Sequence, residues 1–350
     1  MDAADVGRLP LVSVILPCHN GAHWLQACLE SIALQQYRPL ELSFWNDASV
    51  DESGAVLEAS LPMLHAAGIS TTLGATNGSQ PLGCGAAKNS AVRQSLGAYL
   101  CFQDADDIML ADRIELQLKL VLEHGSDSLA GSNVVRDPAD AQPRHTAWLN
   151  ALDSEQLWLQ RFKECTIAMP TWFCGRSVFE RVGGFSEAGP GTPEDLIFFY
   201  AHLRMGGTLA KVPKPLVVYR YHENQTSHSV GAERIWALRV EAMQHDLLDH
   251  LGSFSIWSAG RDGKRFYRSL NETNRAKVLL FLDVDEKKLS AGHYYDRESQ
   301  RHVPVVLWTR ATDATIHPII ICVKAGLHEG FEENVRSLQL TEGVHYWHFH

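Results

Sequence analysis

The sequence predicts an α/β protein with two domains, and three observations support this prediction. Strand-like and helix-like patterns alternate over the first 110 residues of the 350-residue chain. The pattern then becomes mixed, and it restarts near residue 254. Alternation of this kind predicts a parallel sheet with crossover helices. We therefore expect a larger domain at 1–252 and a smaller domain at 253–350.

In the first domain, short apolar runs predict strands, and apolar residues at helical spacing predict the helices between them. The predicted strands are 11–16, 40–45, 69–73 and 98–102. The predicted helices are 24–32, 51–64, 88–94 and 110–123. Polar clusters follow three strands, at 18–20, 46–49 and 104–107. Because ligands of parallel sheets collect at the carboxyl ends of the strands, we expect these clusters to share one crevice.

The second domain repeats the alternation. Its predicted elements are the strand 254–259, the helix 260–270 and the strands 277–282 and 319–323. The segment from Ser258 to Gly263, with Asp283 downstream, has the layout of a dinucleotide fingerprint. Ser258 replaces its first glycine, which leaves two interpretations: a nucleotide site, or a Rossmann-like module without a cofactor.

The composition argues against general attraction to polyanions and indicates a cytoplasmic protein. The net charge of −10 excludes attraction of the whole molecule to nucleic acid or anionic lipid, so an anionic partner must meet a local patch. The seven cysteines form no C-x-x-C pair, and the first ten residues lack a signal-peptide pattern. We expect reduced thiols, a cytoplasmic location, no membrane association and no stable protein partner.

The Asp-x-Asp formed by Asp104 and Asp106 follows a predicted buried strand, and it has two interpretations. Two carboxylates on the same side of an extended backbone can hold a divalent cation and a hydroxyl, and oxygen ligands favour Mg²⁺ or Mn²⁺. Alternatively, Asp106 or Asp107 caps the helix that follows. Asp283 and Asp285 form a second Asp-x-Asp, which lacks the upstream motifs and ranks lower.

Seven motifs in order resemble those of the family 2 glycosyltransferases, which have the GT-A fold. They extend over about 210 residues, which makes the resemblance specific. In chain order, the motifs are Val12–Asn20, Asn46–Ser49, Gly85–Asn89, Asp104–Asp107, Gly183–Glu187, Pro193–Asp195 and Tyr219–His222.

The resemblance implies the GT-A (nucleotide-diphospho-sugar transferase) fold for the first domain and a role for each matched residue. A UDP-sugar donor would be held by Pro17, Asn20, Asp47, Lys88 and Asp104. Mn²⁺ or Mg²⁺ would be bound by Asp106 and His222. Glu194 and Asp195 match the catalytic acidic pair, with Asp195 as the general base of an inverting displacement. Their alternative role is that of first-turn acids of a helix.

Other residues are candidates for contact with the acceptor. Trp172 and Phe173 would form an aromatic wall beside it, although an ordinary core tryptophan is equally compatible with the pattern. Arg220 is also placed on the acceptor side by its motif. On the helix predicted at 260–270, four basic residues lie on one face: Arg261, Lys264, Arg265 and Arg268. They could contact RNA phosphates, or they could form an ordinary solvent-exposed surface.

Further segments add to these motifs, at 170–174, 193–200, 264–270 and 344–349. With them, the whole chain also resembles a narrower group, the queuosine-tRNA galactosyltransferases. The resemblance implies galactose transfer from UDP-galactose to the cyclopentene-diol of queuosine in the anticodon of tyrosine tRNA. The group's older name, β-1,3-N-acetylglucosaminyltransferase-like, implies another donor and acceptor. A third hypothesis is a UDP-sugar or tRNA-binding protein without activity.

Overall fold

The computed structural model describes residues 9–223, 225, 229–323 and 330–350. Packing divides the chain into two compact units. The first contains Leu157 and the residues before it, together with Cys165–Ala232. The second contains Trp158–Glu164 and Glu233–His350. This division differs from the sequence-based boundary near residue 252, because the side chains of the helix Ala232–Asp246 pack on the last residues of the chain.

The first unit contains an eight-stranded sheet with the order β3-β2-β1-β4-β7-β6-β8-β5. The strands β3, β2, β1 and β4 are parallel, and β7 pairs with β4 and β6 in the antiparallel sense. The strands are β1 (Val12–Cys18), β2 (Leu40–Asn46), β3 (Ile69–Ala75), β4 (Tyr99–Phe102), β5 (Ile108–Met109), β6 (Ser128–Asp137), β7 (Phe173–Gly175) and β8 (Thr208–Arg220).

The first helices fill the crossovers that the sequence predicts. Leu25, Leu29 and Ile32 recur at helical spacing and are buried in the core beneath the sheet. The helices are α1 (Ala22–Ala33), α2 (Ser53–Ala66), α3 (Cys84–Gln94), α4 (Arg113–His124), α5 (Pro143–Ala151), α6 (Ser154–Leu159), α7 (Arg176–Val182) and α8 (Glu194–Arg204). Because β1, β2 and β4 are parallel, their carboxyl ends lie at the same edge of the sheet. The residues of the candidate site follow these strand ends.

Helix α8, whose first turn holds Glu194 and Asp195, is anchored at its other end by a buried histidine. His202 is fully buried, and its Nε2 lies 3.0 Å from the Thr208 carbonyl oxygen, to which it donates. A Cβ at position 207 would lie 2.2 Å from the His202 ring, so the glycine there allows close packing. Among the described residues, Nδ1 has no hydrogen-bond partner. Burial lowers the pKa of His202 below its usual 6.5.

We expect His202 to make the stability of the protein depend on pH. Because the folded pKa lies below the unfolded value, His202 contributes stability above pH 6.5 that is lost as the pH falls through the folded pKa. Urea denaturation at pH 7.5 and pH 5.5 measures this loss. His202→Gln, which does not titrate, should lose less unfolding free energy over that range. An equal loss in both proteins would contradict the assignment.

The second unit contains a six-stranded sheet with the order β11-β12-β10-β9-β13-β14, in which only β11 is antiparallel to its neighbour. The strands are β9 (Phe254–Trp257), β10 (Val278–Asp283), β11 (His293–Asp296), β12 (Arg301–Leu307), β13 (Ile319–Ile321) and β14 (Tyr346–His348). The helices are α9 (Ala232–Asp246), α10 (Arg261–Ser269), α11 (Glu272–Ala276), α12 (Glu286–Ala291) and α13 (Phe331–Ser337). A second α/β region is therefore present.

The fingerprint-like segment of this unit forms the turn between β9 and α10. A Cβ at Gly263 would lie 1.9 Å from the Ser258 carbonyl oxygen, so this glycine serves close helix–strand packing. Asp283 accepts the Ala259 N–H at 2.7 Å and a bond from the Lys288 ammonium at 3.0 Å. Asp285 caps α12 by accepting the Lys287 N–H. Both carboxylates of this second Asp-x-Asp therefore have structural partners.

Within the part of the chain that the structure describes, no helix is both long and apolar enough to cross a membrane.

Candidate active site

The loops that follow β1 and β2 are braced by their own polar side chains. Asn20 has a φ of 52°, a conformation that asparagine tolerates, and its Oδ1 accepts the Val50 N–H at 2.8 Å. The Asp47 carboxylate is buried and accepts three hydrogen bonds, from the Thr76 hydroxyl and from the N–H groups of Leu82 and Gly83. Asp47 therefore organises the loop that precedes α3.

Three carboxylates meet after β4. One oxygen from each of Asp104, Asp106 and Asp107 lies within 4.8 Å of the other two. Asp107 is fully buried; its Oδ1 accepts the Arg220 N–H at 2.8 Å, and its Oδ2 has no hydrogen-bond partner within the described ranges. The capping interpretation of Asp106 and Asp107 is wrong, because α4 begins only at Arg113 and Asp112 occupies its N-cap.

The end of β8 brings an imidazole to this cluster. His222 Nε2 lies 3.0 Å from Asp106 Oδ2. Arg220 donates from Nη1 to the Asp106 carbonyl oxygen at 3.2 Å. The Trp24 indole of α1 stacks on the His222 ring, with centroids 5.0 Å apart and planes inclined by 20°. The predicted metal ligands Asp106 and His222, which are far apart in the sequence, are therefore in direct contact.

A buried ion pair joins α3 to the start of α8. Lys88 Nζ lies 2.9 Å from Glu194 Oε1 and 3.2 Å from the Met169 sulfur. Burial alone would raise the pKa of Glu194, but the Lys88 charge and hydrogen bond, together with weaker hydrogen bonds from the Glu194 N–H and Cys84, lower that pKa. Burial alone would lower the pKa of Lys88, but the neighbouring Cys84 and Glu194 raise it above its usual value. Lys88 thus contacts Glu194 directly.

Electrostatics link the carboxylates after β4 to the two acids of α8. Burial raises the pKa of the Asp104 carboxyl to about 6, against the opposing charge of Lys88. The carboxylates of Asp106, Glu194 and Asp195 add to this increase. Burial and the Glu194 charge also raise the pKa of Asp195. The charges of these groups therefore act on one another. Asp195 lies in the first turn of α8, where its Oδ1 accepts the Leu196 N–H at 2.7 Å.

The acceptor-side assignments of three residues require correction. Trp172 and Phe173 are both fully buried, so neither presents an aromatic face to an acceptor. Trp172 donates from Nε1 to the Ile167 carbonyl oxygen at 3.0 Å and packs among phenylalanines, as a core tryptophan does. The Arg220 side chain is only 11% exposed and contacts Asp106 and Asp137. It holds the acidic cluster instead of facing an open surface.

The four cations of α10 differ in exposure. Arg261 and Arg268 are exposed, whereas Lys264 and Arg265 are partly buried. Arg265 pairs with Glu233 at 2.7 Å and stacks on the Trp236 ring at 3.9 Å. The basic face of α10 that the sequence predicts is therefore present, but the Arg265 side chain already contacts Glu233 and Trp236 of the second unit.

Two residues of the site have contacts that the sequence analysis did not predict. Asp107 is the third carboxylate of the cluster, and its position directly after the Asp-x-Asp was the available signal. Trp24 contacts His222 and Arg220, but its sequence position shows only helical spacing. Because its partners lie on β8 and just beyond it, no local pattern identifies it.

The family comparison matches the part of the chain that carries most of this site. Residues 13–183 match the model of Glycosyl transferase family 2. An uncharacterized glycosyltransferase of Rickettsia felis is 26% identical over 231 residues, which cover 63% of this chain and 36% of that protein. A UDP-Glc:alpha-D-GlcNAc-diphosphoundecaprenol beta-1,3-glucosyltransferase, WfgD of Escherichia coli, is 28% identical, over 35% of this chain and 45% of its own. The chain spans less than half the length of these relatives.

Solved structures support the fold. S. aureus TarS in complex with UDP-GlcNAc superposes with a TM-score of 0.55 at 15% identity, over 77% of this chain and 84% of that one. The mannosyltransferase PcManGT from Pyrobaculum calidifontis, in complex with GDP-Man and Mn²⁺, superposes with a TM-score of 0.52 at 20% identity, over 69% of this chain and 66% of its own. Residues 13–183 are therefore similar to a glycosyl transferase family 2 domain, and the fold is that of the GT-A glycosyltransferases.

Proposed function

We propose that this protein is a metal-dependent, inverting glycosyltransferase that uses a UDP-sugar donor. The observation that carries the proposal is the meeting of Asp104, Asp106 and Asp107 with one another and of Asp106 with His222. The charges of Glu194 and Asp195 in α8 also act on the Asp104 carboxyl. We place the donor at the ends of β1, β2 and β4, beside Pro17, Asn20, Asp47 and Asp104, and near Lys88 of α3, whose side chain is buried against Glu194. The relative WfgD is named for a UDP-Glc donor, which agrees with this choice.

The donor set fits a hard divalent cation. It offers carboxylate oxygens, one of them the unpartnered Asp107 Oδ2, together with one imidazole. Such ligands suit Mg²⁺ or Mn²⁺ better than zinc. Asp106 and His222 would hold the ion, with Asp104 and Asp107 beside them. When bound, the cation would supply positive charge that stabilises the departing diphosphate.

Asp195 is the proposed general base. It would accept the proton of the acceptor hydroxyl while that oxygen forms a bond to the anomeric carbon and the bond from that carbon to UDP breaks. Its raised pKa suits this role, because a more basic carboxylate accepts the proton more readily. The Lys88–Glu194 ion pair fixes the first turn of α8 and so orients Asp195. Attack opposite the leaving group inverts the anomeric configuration.

For the donor and acceptor, we propose transfer of galactose from UDP-galactose to the cyclopentene-diol of queuosine in tyrosine tRNA. The resemblance along the whole chain supports this choice, as do the exposed cations Arg261 and Arg268 of α10, which suit RNA phosphates. An RNA acceptor also agrees with the expected cytoplasmic location. We infer that residues 253–350 are the accessory domain that contacts tRNA. The second candidate is transfer of N-acetylglucosamine or another hexose to a glycan, which the UDP-GlcNAc complex of TarS favours.

The test is a transfer assay with purified protein, Mn²⁺ and tyrosine tRNA with or without queuosine. We expect radiolabelled galactose from UDP-galactose to enter only the queuosine-containing tRNA, and removal of the metal by EDTA to stop its incorporation. UDP-N-acetylglucosamine and UDP-glucose serve as competing donors. Incorporation that does not require queuosine would refute the tRNA assignment. Preference for another donor would refute the galactose assignment.

A further inference from the structure

The ring of His222 is held at one edge and on one face. Its Nε2 edge meets Asp106 Oδ2 at 3.0 Å. Its other nitrogen, Nδ1, is buried and has no hydrogen-bond partner among the residues that the structure describes. Histidines that bind metals usually have the second ring nitrogen fixed by a hydrogen bond, which sets the ring orientation. In the described part of this chain, that means of orientation is absent.

The Trp24 indole supplies a different constraint. It lies nearly parallel to the His222 ring, with the planes inclined by 20° and the centroids 5.0 Å apart. Stacking of the indole against the ring face resists tilting of the imidazole about its hydrogen bond to Asp106. The Arg220 guanidinium carbon lies 5.1 Å from the centroid of the same indole ring, and Arg220 also donates to the Asp106 carbonyl oxygen. One indole therefore contacts two residues that hold Asp106.

The backbone around Trp24 fixes the indole in turn. Trp24 lies in the first turn of α1, and its N–H donates to the Gly21 carbonyl oxygen at 2.9 Å. A Cβ at position 21 would lie 2.8 Å from the Cys18 sulfur, so the glycine allows α1 to start directly against the end of β1. The Gly21 N–H donates to the Ser53 hydroxyl at 2.9 Å. The tryptophan is thus carried by a well-anchored helix start.

We infer that Trp24 is a positioning residue, which orients the His222 imidazole toward Asp106 by stacking and thereby sets the affinity of the site for its cation. This inference rests on the metal site of the proposed function. The aromatic ring is the essential property, so phenylalanine should substitute for Trp24, and leucine should not. The effect acts through His222, so it should vanish when His222 is absent.

The experiment measures Mn²⁺ affinity by electron paramagnetic resonance in the presence of saturating UDP. Trp24→Leu should weaken Mn²⁺ binding about tenfold, as loss of a residue that orients a ligand does. Trp24→Phe should restore affinity to within about twofold of the wild type. Tyr99→Leu is the matched control, because Tyr99 also stacks on a ring, at 5.9 Å from Phe173, but lies at the opposite end of β4. It should leave Mn²⁺ affinity unchanged.

A second pair of variants separates the inference from the function on which it rests. His222→Ala should weaken Mn²⁺ binding, and adding Trp24→Leu to it should cause no further loss. Equal affinity of Trp24→Leu and wild type, with His222→Ala still weakened, would overturn the inference alone. Unchanged affinity in His222→Ala would overturn the metal role of His222 and the inference with it. An additive loss in the double variant would show that Trp24 acts without His222.

Discussion

Asp195→Asn is expected to abolish sugar transfer while the protein continues to bind UDP. The change keeps the size of the side chain but removes the group that accepts the proton of the acceptor hydroxyl. General-base catalysis contributes on the order of 10²- to 10⁴-fold to a rate, and kcat should fall by about that factor. The Asp195 Oδ1 bond to the Leu196 N–H can be kept by the amide oxygen of asparagine, so α8 should start at the same residue. Calorimetry with UDP and Mn²⁺ should give the same dissociation constant within about threefold.

The matched control for this variant is Asp140→Asn. Asp140 is an exposed acid of the first unit, and the same change of charge there should leave both kcat and UDP binding unaltered. Turnover by Asp195→Asn equal to that of the wild type would refute the assignment of the base. Simultaneous loss of UDP binding and turnover would instead show that Asp195 serves donor binding, which contradicts the proposed role.

Lys88→Met is expected to destabilise the protein strongly. The substitution leaves the Glu194 carboxylate buried without its cation, and removal of one partner of a buried ion pair costs about 3 to 5 kcal/mol. The Lys88 side chain is 3% exposed and that of Glu194 is 11%, so solvent cannot replace the lost partner. Urea denaturation followed by circular dichroism measures the loss. The double variant Lys88→Met/Glu194→Gln should recover part of the unfolding free energy, because it removes the buried charge.

The same helix contains a control for this variant. Arg93 pairs with Glu187 at 3.1 Å, but both side chains are about half exposed or more. Exposed ion pairs contribute about 0 to 1 kcal/mol, so Arg93→Met should change the unfolding free energy by no more than that. If Lys88→Met cost as little as Arg93→Met, the Lys88–Glu194 pair would not be the anchor of α8 that the structure indicates.

The strands and helices whose apolar residues repeat every two or every 3.6 positions could be predicted from the sequence. The apolar runs predicted β1, β2 and β4, and each strand ends at the polar cluster that follows its run. This prediction succeeds because the pattern of apolar and polar residues is a local property of the sequence. The order of the motifs pointed to the same edge of the sheet. Contact between His222 and Asp106 confirms that these two residues lie together, although their roles remain proposals.

The remaining features depend on tertiary packing. A buried aromatic residue and an aromatic wall look alike in a sequence, and Trp172 belongs to the core because phenylalanines from elsewhere cover it. Helix α4 starts at Arg113 and not at residue 110, because Ile108 and Met109 pair with β8 first. The boundary between the units depends on which partners the side chains of α9 contact, and local periodicity carries no information about that choice.

The most direct test is a crystal structure with UDP and Mn²⁺, with anomalous data collected at the manganese edge. We expect one strong anomalous peak in contact with Asp106 and His222, a diphosphate beside it, and a nucleoside between the ends of β1 and β2. Asp195 should face the side of the donor site away from the diphosphate. Manganese bound elsewhere on the first unit, or UDP bound away from these strand ends, would contradict the proposed metal and donor sites.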